Sequence, residues 1–392
     1  MREIRVQTIL RLCEKIRSYQ KSGRNNEKLS LWEAVAGLPN VFTRWIPKKI
    51  DGVVPFIADL DREMWAQVLD LDVEGIYGDP LTYLEFELRK KLFAFENFDD
   101  DYPITKNVTI WHGVGILQTL FGLDQEPAGN GHEPWVGKRH ILREKNDLAK
   151  IRVPDFYKSG LMPKIHRMYE EIREILEGDF NVVFPEWDFG CYGIALSLRG
   201  TENLSIEMID DPEFVHELMK LIYESKVHYS DERAKFLGVD VSPLYMPNDD
   251  VSAPLISPAA YKEYIFPYEV ETSNYHGGID YWHSCGRIDH ILHFIKQIPR
   301  LKMIHISYAN DFEKSVKTIG RDNIIEFVLN PIDDILKASP ESMRKKLDVI
   351  KNMCQGLRYT VRADAFQKLT NIKDDISKIR TWIHCCRKAF HA

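Results

Sequence analysis

The sequence lacks several features that define other classes of protein. It has no apolar run long enough to span a bilayer, and its first twenty residues mix charged and apolar side chains instead of forming the apolar block of a signal peptide. Its six cysteines show no regular spacing that would indicate a disulfide framework. The net charge of −7 disfavours a general binder of nucleic acid or of anionic membranes. These absences predict a cytoplasmic protein with reduced thiols, no nucleic-acid partner and no membrane attachment.

The order of apolar segments indicates the class of fold. Apolar residues make up 44% of the 392-residue chain, and strand-like segments alternate with helix-like ones. Alternation of this kind is typical of parallel α/β architecture, most economically one (β/α)8 barrel of the TIM type. We therefore predict an N-terminal helical extension over residues 1–48 and a barrel over residues 49–392. The predicted strands are residues 53–59, 108–115, 182–188, 239–245, 280–285, 303–306, 324–329 and 357–364.

His283 and Cys285 are the strongest candidate metal ligands. They stand two positions apart after an extended segment, so both side chains point to the same side if the strand continues that far. An imidazole and a thiol are zinc ligands, and Gly286 follows as a flexible exit from the strand. A single His-x-Cys pattern is weak by itself and is equally compatible with a structural role.

Polar side chains also follow other predicted strands. Asn248, Asp249 and Asp250 end one of them, and adjacent carboxylates serve as acid, base or ligand, or simply cap a loop. His112 follows another strand, either as a substrate contact or as a structural histidine. A long loop is predicted over residues 124–139, where Trp135 inside it is either a lid aromatic or an anchor to the core.

Several motifs occur together in an order that resembles a known family. They are Leu198-Arg199-Gly200 before Asp210-Asp211-Pro212-Glu213, then Asp249-Asp250 with Ile256-Ser257-Pro258, Tyr261 and Pro267, and finally His283-x-Cys285-Gly286. From about residue 50 to 370 the chain resembles the uroporphyrinogen decarboxylase superfamily, which also contains cobamide-dependent methyltransferases. The resemblance implies the barrel fold and places the function in one of these branches.

The methyltransferase branch fits the residues better. The Arg-Gln-Ala-Gly-Arg motif with which the true decarboxylases grip their tetrapyrrole has no match, and acidic Asp59, Asp61 and Glu63 stand in that region. In the methyltransferases the His-x-Cys pair binds zinc together with a later cysteine, so the resemblance implies His283 and Cys285 as ligands.

The third zinc ligand does not carry over from the family. Cys354 precedes Gly356 and the last strand, so Asp364 is the expected third ligand. Glu186, Asp249 and Asp250 are candidates for additional oxygen ligands and for catalytic carboxylates, because zinc accepts carboxylates in catalytic sites. Fewer thiolates would leave a more Lewis-acidic metal, which favours an oxygen or nitrogen substrate over a thiol.

The resemblance implies a zinc-dependent methyltransferase that moves a methyl group between a small molecule (a methyl ether, methylamine or thiol) and a corrinoid protein, for example in O-demethylation. The alternatives are a metal-independent decarboxylase or lyase acting on another carboxylated substrate and a non-catalytic binding protein. A homodimer is compatible with each of these functions. The residues expected around the substrate are Trp111, His112, Trp187, Phe189, Tyr192 and Tyr245.

Overall fold

Parallel strands form the centre of the protein. The computed structural model describes residues 2–34 and 45–391. Six strands form one sheet in the order β1-β10-β9-β8-β7-β6, and every neighbouring pair is parallel. This α/β fold, with its curled half-barrel, is consistent with the predicted TIM-type barrel. The six strands are β1 (Phe56–Leu60), β6 (Leu244–Pro247), β7 (Ile279–His283), β8 (Leu301–Ser307), β9 (Ile324–Val328) and β10 (Tyr359–Phe366).

Two further strands pair separately, so the ladder does not run continuously round the described residues. β2 (Asn107–Thr109) and β5 (Asn181–Val183) form a parallel pair. At the free edge of β1, the backbone N–H groups of Phe56 and Ala58 donate to the carboxylates of Asp101 and Asp100, at 3.0 and 3.1 Å. Side chains therefore satisfy edge donors that a neighbouring strand would otherwise satisfy.

Helices surround the strands, and side-chain caps start many of them. Asp211 accepts the N–H of Phe214, and Pro212 occupies the first turn of the helix Pro212–Leu237. The helices are α1 (Arg2–Gln20), α2 (Gly23–Ser30), α3 (Arg62–Leu69), α4 (Val73–Gly78), α5 (Pro80–Asn97), α6 (Ile116–Thr119), α7 (Met162–Ile175), α8 (Cys191–Arg199), α9 (Thr201–Asp210), α10 (Pro212–Leu237), α11 (Pro258–Ala260), α12 (Phe266–Tyr275), α13 (Leu292–Ile295), α14 (Phe312–Ile319), α15 (Pro340–Met353) and α16 (Ile372–Phe390). In the described part of the chain, no helix combines the length and the apolar character needed to cross a membrane.

The N-terminal residues pack onto the strands instead of standing apart. α1 buries Ile9, Cys13 and Ile16, and it packs against α5. Ile46 lies in a small buried cluster with residues of four strands, namely Tyr245, Tyr281, Met303 and Ile324. The predicted boundary at residue 48 stays a prediction, and residues 35–44 of that extension lie outside the described residues.

The segment 124–139 contains a short antiparallel hairpin where a loop without strands was predicted. Its strands are β3 (Gln125–Glu126) and β4 (Trp135–Val136). The hairpin lies tightly against Gly113, where an added Cβ would come within 2.3 Å of the carbonyl oxygen of Pro134. Glu133 accepts hydrogen bonds from Trp111 Nε1 at 2.9 Å and from Tyr77 Oη at 2.6 Å. Trp135 is 56% exposed and so does not anchor the segment to the core.

Candidate metal and active site

Three side chains of different chemistry meet at the carboxyl ends of β6 and β7. The ligand atoms of Asp249, His283 and Cys285 all lie within 4.8 Å of one another. His283 Nε2 is 3.1 Å from Cys285 Sγ and 3.5 Å from an oxygen of Asp249. Cys285 is exposed, whereas only 13% of the His283 side chain is accessible. The cluster is thus open to solvent on its thiol side.

The parallel register of β6 and β7 brings these residues together. Pro247 pairs with His283, and the N–H of Asn248 donates to the His283 carbonyl at 2.8 Å. One residue further on, the N–H of Cys285 donates to the Asp249 carboxylate at 2.6 Å. Asp249 begins a single 3-10 turn there, which aims its side chain at the His-x-Cys segment.

Gly286 permits this close approach of two loops. An added Cβ would lie 2.1 Å from Ser252 Cβ and 2.5 Å from Ser252 Oγ. The Gly286 carbonyl accepts hydrogen bonds from Ser307 Oγ at 3.0 Å and from Asn310 Nδ2 at 3.1 Å, so the backbone has little freedom to retreat. The glycine of the His-x-Cys-Gly motif therefore serves close packing beside the cluster.

The Gly286→Ala variant is expected to lose about 1–3 kcal/mol of unfolding free energy through overpacking. Ser252→Gly removes the atoms that the new methyl group would meet, so the double variant should recover most of that loss. Urea denaturation of the two single variants and the double variant gives the coupling energy. A double variant as unstable as Gly286→Ala alone would show that Ser252 is not the obstacle.

A buried polar network contacts Nδ1 of the His283 ring. Its Nδ1 lies 2.9 Å from Nδ1 of His305, which in turn lies 2.8 Å from Tyr281 Oη. Tyr281 donates to Glu326, and Arg362 Nε donates to the other oxygen of Glu326 at 3.0 Å. This network leaves Nε2 of His283 directed at Cys285 and Asp249.

Asp364 and Cys354 lie outside this cluster. Asp364 stands within β10, and one of its oxygens is 4.0 Å from Arg362 Nε. In the described residues the three-ligand group contains Asp249 and does not contain Asp364. Cys354 caps the end of α15 and is buried, and this burial raises the pKa of its thiol to about 12.

Asp250 packs against the first turn of α8. Its carboxylate would lie 2.5 Å from a Cβ at Gly193, so this helix needs glycine at the contact. Burial raises the pKa of Asp250, and the neighbouring charge of Asp249 adds to the rise. Burial and Asp250 together raise the pKa of Tyr192 to about 12. Asp250 thus keeps its proton to a higher pH than an ordinary aspartic acid.

No pattern in the sequence singles out Glu269, yet this residue is the centre of another buried network. It accepts hydrogen bonds from Tyr261 Oη at 2.5 Å, from Trp282 Nε1 at 3.1 Å and from Asn248 Nδ2. Burial raises the pKa of Glu269 to about 7. Through Asn248 this carboxyl group fixes the residue that precedes Asp249.

Glu186 has a buried cationic partner. Arg233 NH1 is 2.8 Å from its carboxylate, and the same guanidinium donates to the carbonyls of Phe184 and Pro185. The neighbouring Asp188, which sequence reasoning missed, is buried, and burial raises its pKa to about 7 against the opposing charge of Lys226. The only signal for Asp188 in the sequence is its position after a strand that ends in acidic and aromatic residues.

The predicted substrate aromatics are dispersed. Trp187 is fully buried, with its ring centroid 5.9 Å from those of Phe121 and Tyr229. Tyr192 is buried on α8, and Tyr245 is buried in a small cluster that also contains Tyr281.

His112 and Trp111 lie at the end of β2. His112 Nε2 is 2.9 Å from Lys164 Nζ, and burial lowers the pKa of this histidine to about 4. The ring is therefore neutral near pH 7, and its Nε2 accepts a hydrogen bond from the Lys164 ammonium group. Trp111 is largely buried, and its indole N–H donates to Glu133.

The donor set of the cluster fits zinc. One nitrogen, one sulfur and one oxygen converge, and catalytic zinc sites in general use three protein ligands with a further position left for substrate or water. The exposed thiol lies on the side from which a substrate would approach. The residues that would hold the ion are thus His283, Cys285 and Asp249.

Comparison with known proteins gives a family and a fold. Residues 117–359, more than half of the chain, match the family model for uroporphyrinogen decarboxylase (URO-D). Among solved structures, a methyltransferase from Methanosarcina mazei is similar with a TM-score of 0.65, over 88% of this chain and 96% of that one. Their sequences are 14% identical, so this likeness concerns the fold. No curated protein matches the sequence.

Proposed function

Because the chain belongs to the uroporphyrinogen decarboxylase family, we propose that it is a member with methyltransferase activity, moving a methyl group between a small molecule and a corrinoid carried by a partner protein. The observation that carries the proposal is the group of imidazole, thiol and carboxylate at the strand ends. The Arg-Gln-Ala-Gly-Arg motif that the tetrapyrrole decarboxylases use for their acidic substrate has no match in this sequence. The similar fold of a methyltransferase supports this choice.

The cluster has a defined role in this proposal. His283, Cys285 and Asp249 would hold zinc, and a bound zinc ion supplies Lewis acidity toward the heteroatom that carries the methyl group. His305 contacts Nδ1 of His283, and Tyr281 contacts His305 in turn. These two side chains therefore keep the His283 ring in its orientation. The exposed side of Cys285 leaves room for the substrate.

Asp250 would be the proton donor in the reaction. Its raised pKa keeps the carboxyl group protonated to higher pH, so it is suited to return a proton to the oxygen or nitrogen as the methyl group leaves. Glu186 is held by Arg233 and would serve as an orienting charge at the end of β5. Methyl ethers and methylamines are the proposed substrate classes. The barrel domain is proposed to span residues 49–392.

The proposed function predicts corrinoid-dependent demethylation. Zinc-loaded protein is incubated with cob(I)alamin and, in separate reactions, with a methoxylated aromatic compound, a methylamine or a methyl thioether. Absorbance spectroscopy then follows the formation of methylcobalamin, which we expect with an oxygen or nitrogen donor. The variant Asp250→Asn should lower the rate by about 10²–10⁴-fold if it removes the proton donor.

The same reactions separate the alternatives. Release of carbon dioxide from carboxylated substrates without metal, and no methylcobalamin, would replace the proposal by a decarboxylase. Binding of cobalamin without turnover of any donor would instead indicate a binding protein. Variant Glu217→Ala, on the exposed face of α10, is the control and should leave every rate unchanged.

A further inference from the structure

A second cavity lies away from the zinc-type cluster, at the opening between β1 and β2. It has a volume of about 130 Å³ and is bounded by α5, by the two strands and by the segment that leads into β2. Drug-sized sites begin at about 300 Å³. At about 30 Å³ for each water molecule, this space corresponds to about four waters, which suits a small molecule.

Among the described residues, the charged side chains around this cavity do not balance. Three of these residues are cationic, Arg62, Lys90 and Lys91, and two are carboxylates, Asp59 and Glu87. Glu87 is occupied by Arg62 at 2.8 Å and by Lys90 at 3.0 Å. Asp59 accepts from the indole N–H of a lining tryptophan at 3.2 Å.

Among the described residues of the lining, Lys91 is the cation that has no ionic partner. Arg62 also donates to Tyr77 Oη at 2.9 Å and lies 3.9 Å from Glu133, whereas in the described parts of the chain Lys91 has neither a hydrogen bond nor an ion pair. Burial lowers its pKa to about 8, against the weaker effect of Glu87. An unpaired, largely buried ammonium group destabilises the folded protein unless something binds to it.

Aromatic side chains complete the walls. Trp45, Trp65 and Trp111 all line the cavity, next to aliphatic Ala58, Ala94 and Ile104. Among the described residues, the lining thus combines these aromatic and aliphatic side chains with polar ones and with one cation, Lys91, that has no ionic partner. The polar side chains are Tyr102, Thr105, Asn107 and Thr109. A multiply charged anion such as a phosphate would exceed the charge of Lys91, whereas a monoanion matches it.

We propose that this cavity binds a small organic monocarboxylate, with Lys91 as its ion-pair partner and the tryptophans around its alkyl part. None of the proposed zinc ligands Asp249, His283 and Cys285 lines this cavity, although Trp111, one of the aromatic residues expected around the methyl-transfer substrate, does. Its occupancy does not require zinc or a corrinoid.

Acetate and propionate are the probes, and tryptophan fluorescence with isothermal titration calorimetry measures their binding. One site per chain is expected, and acetamide, which has the shape of acetate without its charge, should not compete. Lys91→Met should weaken binding at least about tenfold, whereas Lys91→Arg should retain it. Lys235→Met, at an exposed lysine of α10, is the control and should bind like the wild type.

The pH dependence gives a second readout. Binding should weaken as the pH rises through about 8, because Lys91 then loses its proton. The other titratable groups that face it are Asp59, Arg62, Glu87, Lys90 and Tyr102.

Folding of Lys91→Met is checked by its thermal unfolding, and removal of a buried charge should not lower its melting temperature. Equal binding of acetamide, unchanged binding by Lys91→Met, or no acetate binding by the wild type would each overturn the proposal. Methyl-transfer activity has no part in these readouts, so failure of the proposed function would leave them intact.

Discussion

Replacing His283 by alanine is expected to reduce bound zinc from roughly one ion per chain to little after dialysis against a weak chelator. His283 is the central member of the cluster, because its Nε2 lies 3.1 Å from the Cys285 sulfur and 3.5 Å from Asp249. Loss of an outer-shell group alone weakens metal sites by about 10–100-fold, so loss of a direct ligand should exceed that. Cys285→Ala should behave in the same way. Elemental analysis of the dialysed proteins measures the effect.

The controls are a histidine and a cysteine of α16, His384→Ala and Cys385→Ala, which lie outside the cluster and should keep their zinc. Circular dichroism should show an intact fold in all four variants, since the protein has a large apolar core that does not depend on a metal. Near-normal zinc in Cys285→Ala would refute its assignment as a ligand. Absence of zinc from the wild type, even after reconstitution, would favour the metal-independent lyase.

Two further variants test which residue is the third zinc ligand. Asp249→Asn should lower zinc affinity, and Asp364→Asn should not, if the arrangement of Asp249 beside Cys285 is the one that binds the ion. The opposite result would favour Asp364, the third ligand expected from the sequence. Both substitutions preserve side-chain volume, so a change in zinc content reports on the charge and the oxygen donor.

The family and the α/β class were predictable, because apolar strand segments and family motifs are local features of the sequence. The lengths of β2 and β5 were not. Each has three residues, whereas strands of seven or more residues were predicted there. β5 ends early because Pro185 has no N–H group to donate, and β2 ends early because the chain turns toward the hairpin at Gly113. Between Ile288 and Ile298 the apolar residues recur at nearly helical spacing, but the chain forms only the short α13 and turns, most of them closed by i to i−3 hydrogen bonds.

The site could be predicted only where its residues are close in sequence. His283 and Cys285 stand two positions apart, so the sequence alone points to the pair, although β7 ends at His283 and Cys285 lies in the loop that follows. The position of Asp249 depends on the register between β6 and β7. Glu269 and Lys91 stand on helices in charged surroundings, a pattern that indicates a solvated face. Their burial results from tertiary packing, which no local pattern reports.

The motif residue Arg199 has a structural role that a single substitution can test. Its guanidinium binds both oxygens of Glu207, the closest at 2.6 Å, and donates to the carbonyls of Leu142 and Arg143. Only 7% and 5% of the two side chains are accessible. This ion pair joins α8 to α9 across Gly200, whose φ of +88° favours glycine.

Glu207→Ala is therefore expected to lower the free energy of unfolding by roughly 3–5 kcal/mol, because the Arg199 charge would stay buried without its partner. Glu217→Ala, at an exposed glutamate of α10, should change it by less than about 0.5 kcal/mol. Urea denaturation followed by circular dichroism compares the two variants, and the double change Arg199→Met with Glu207→Leu should be less destabilising than Glu207→Ala. If Glu207→Ala were no more harmful than its control, the pair would not hold α8 and α9 together. The observed bidentate geometry, with its two further bonds to backbone carbonyls, argues that the loss will be large.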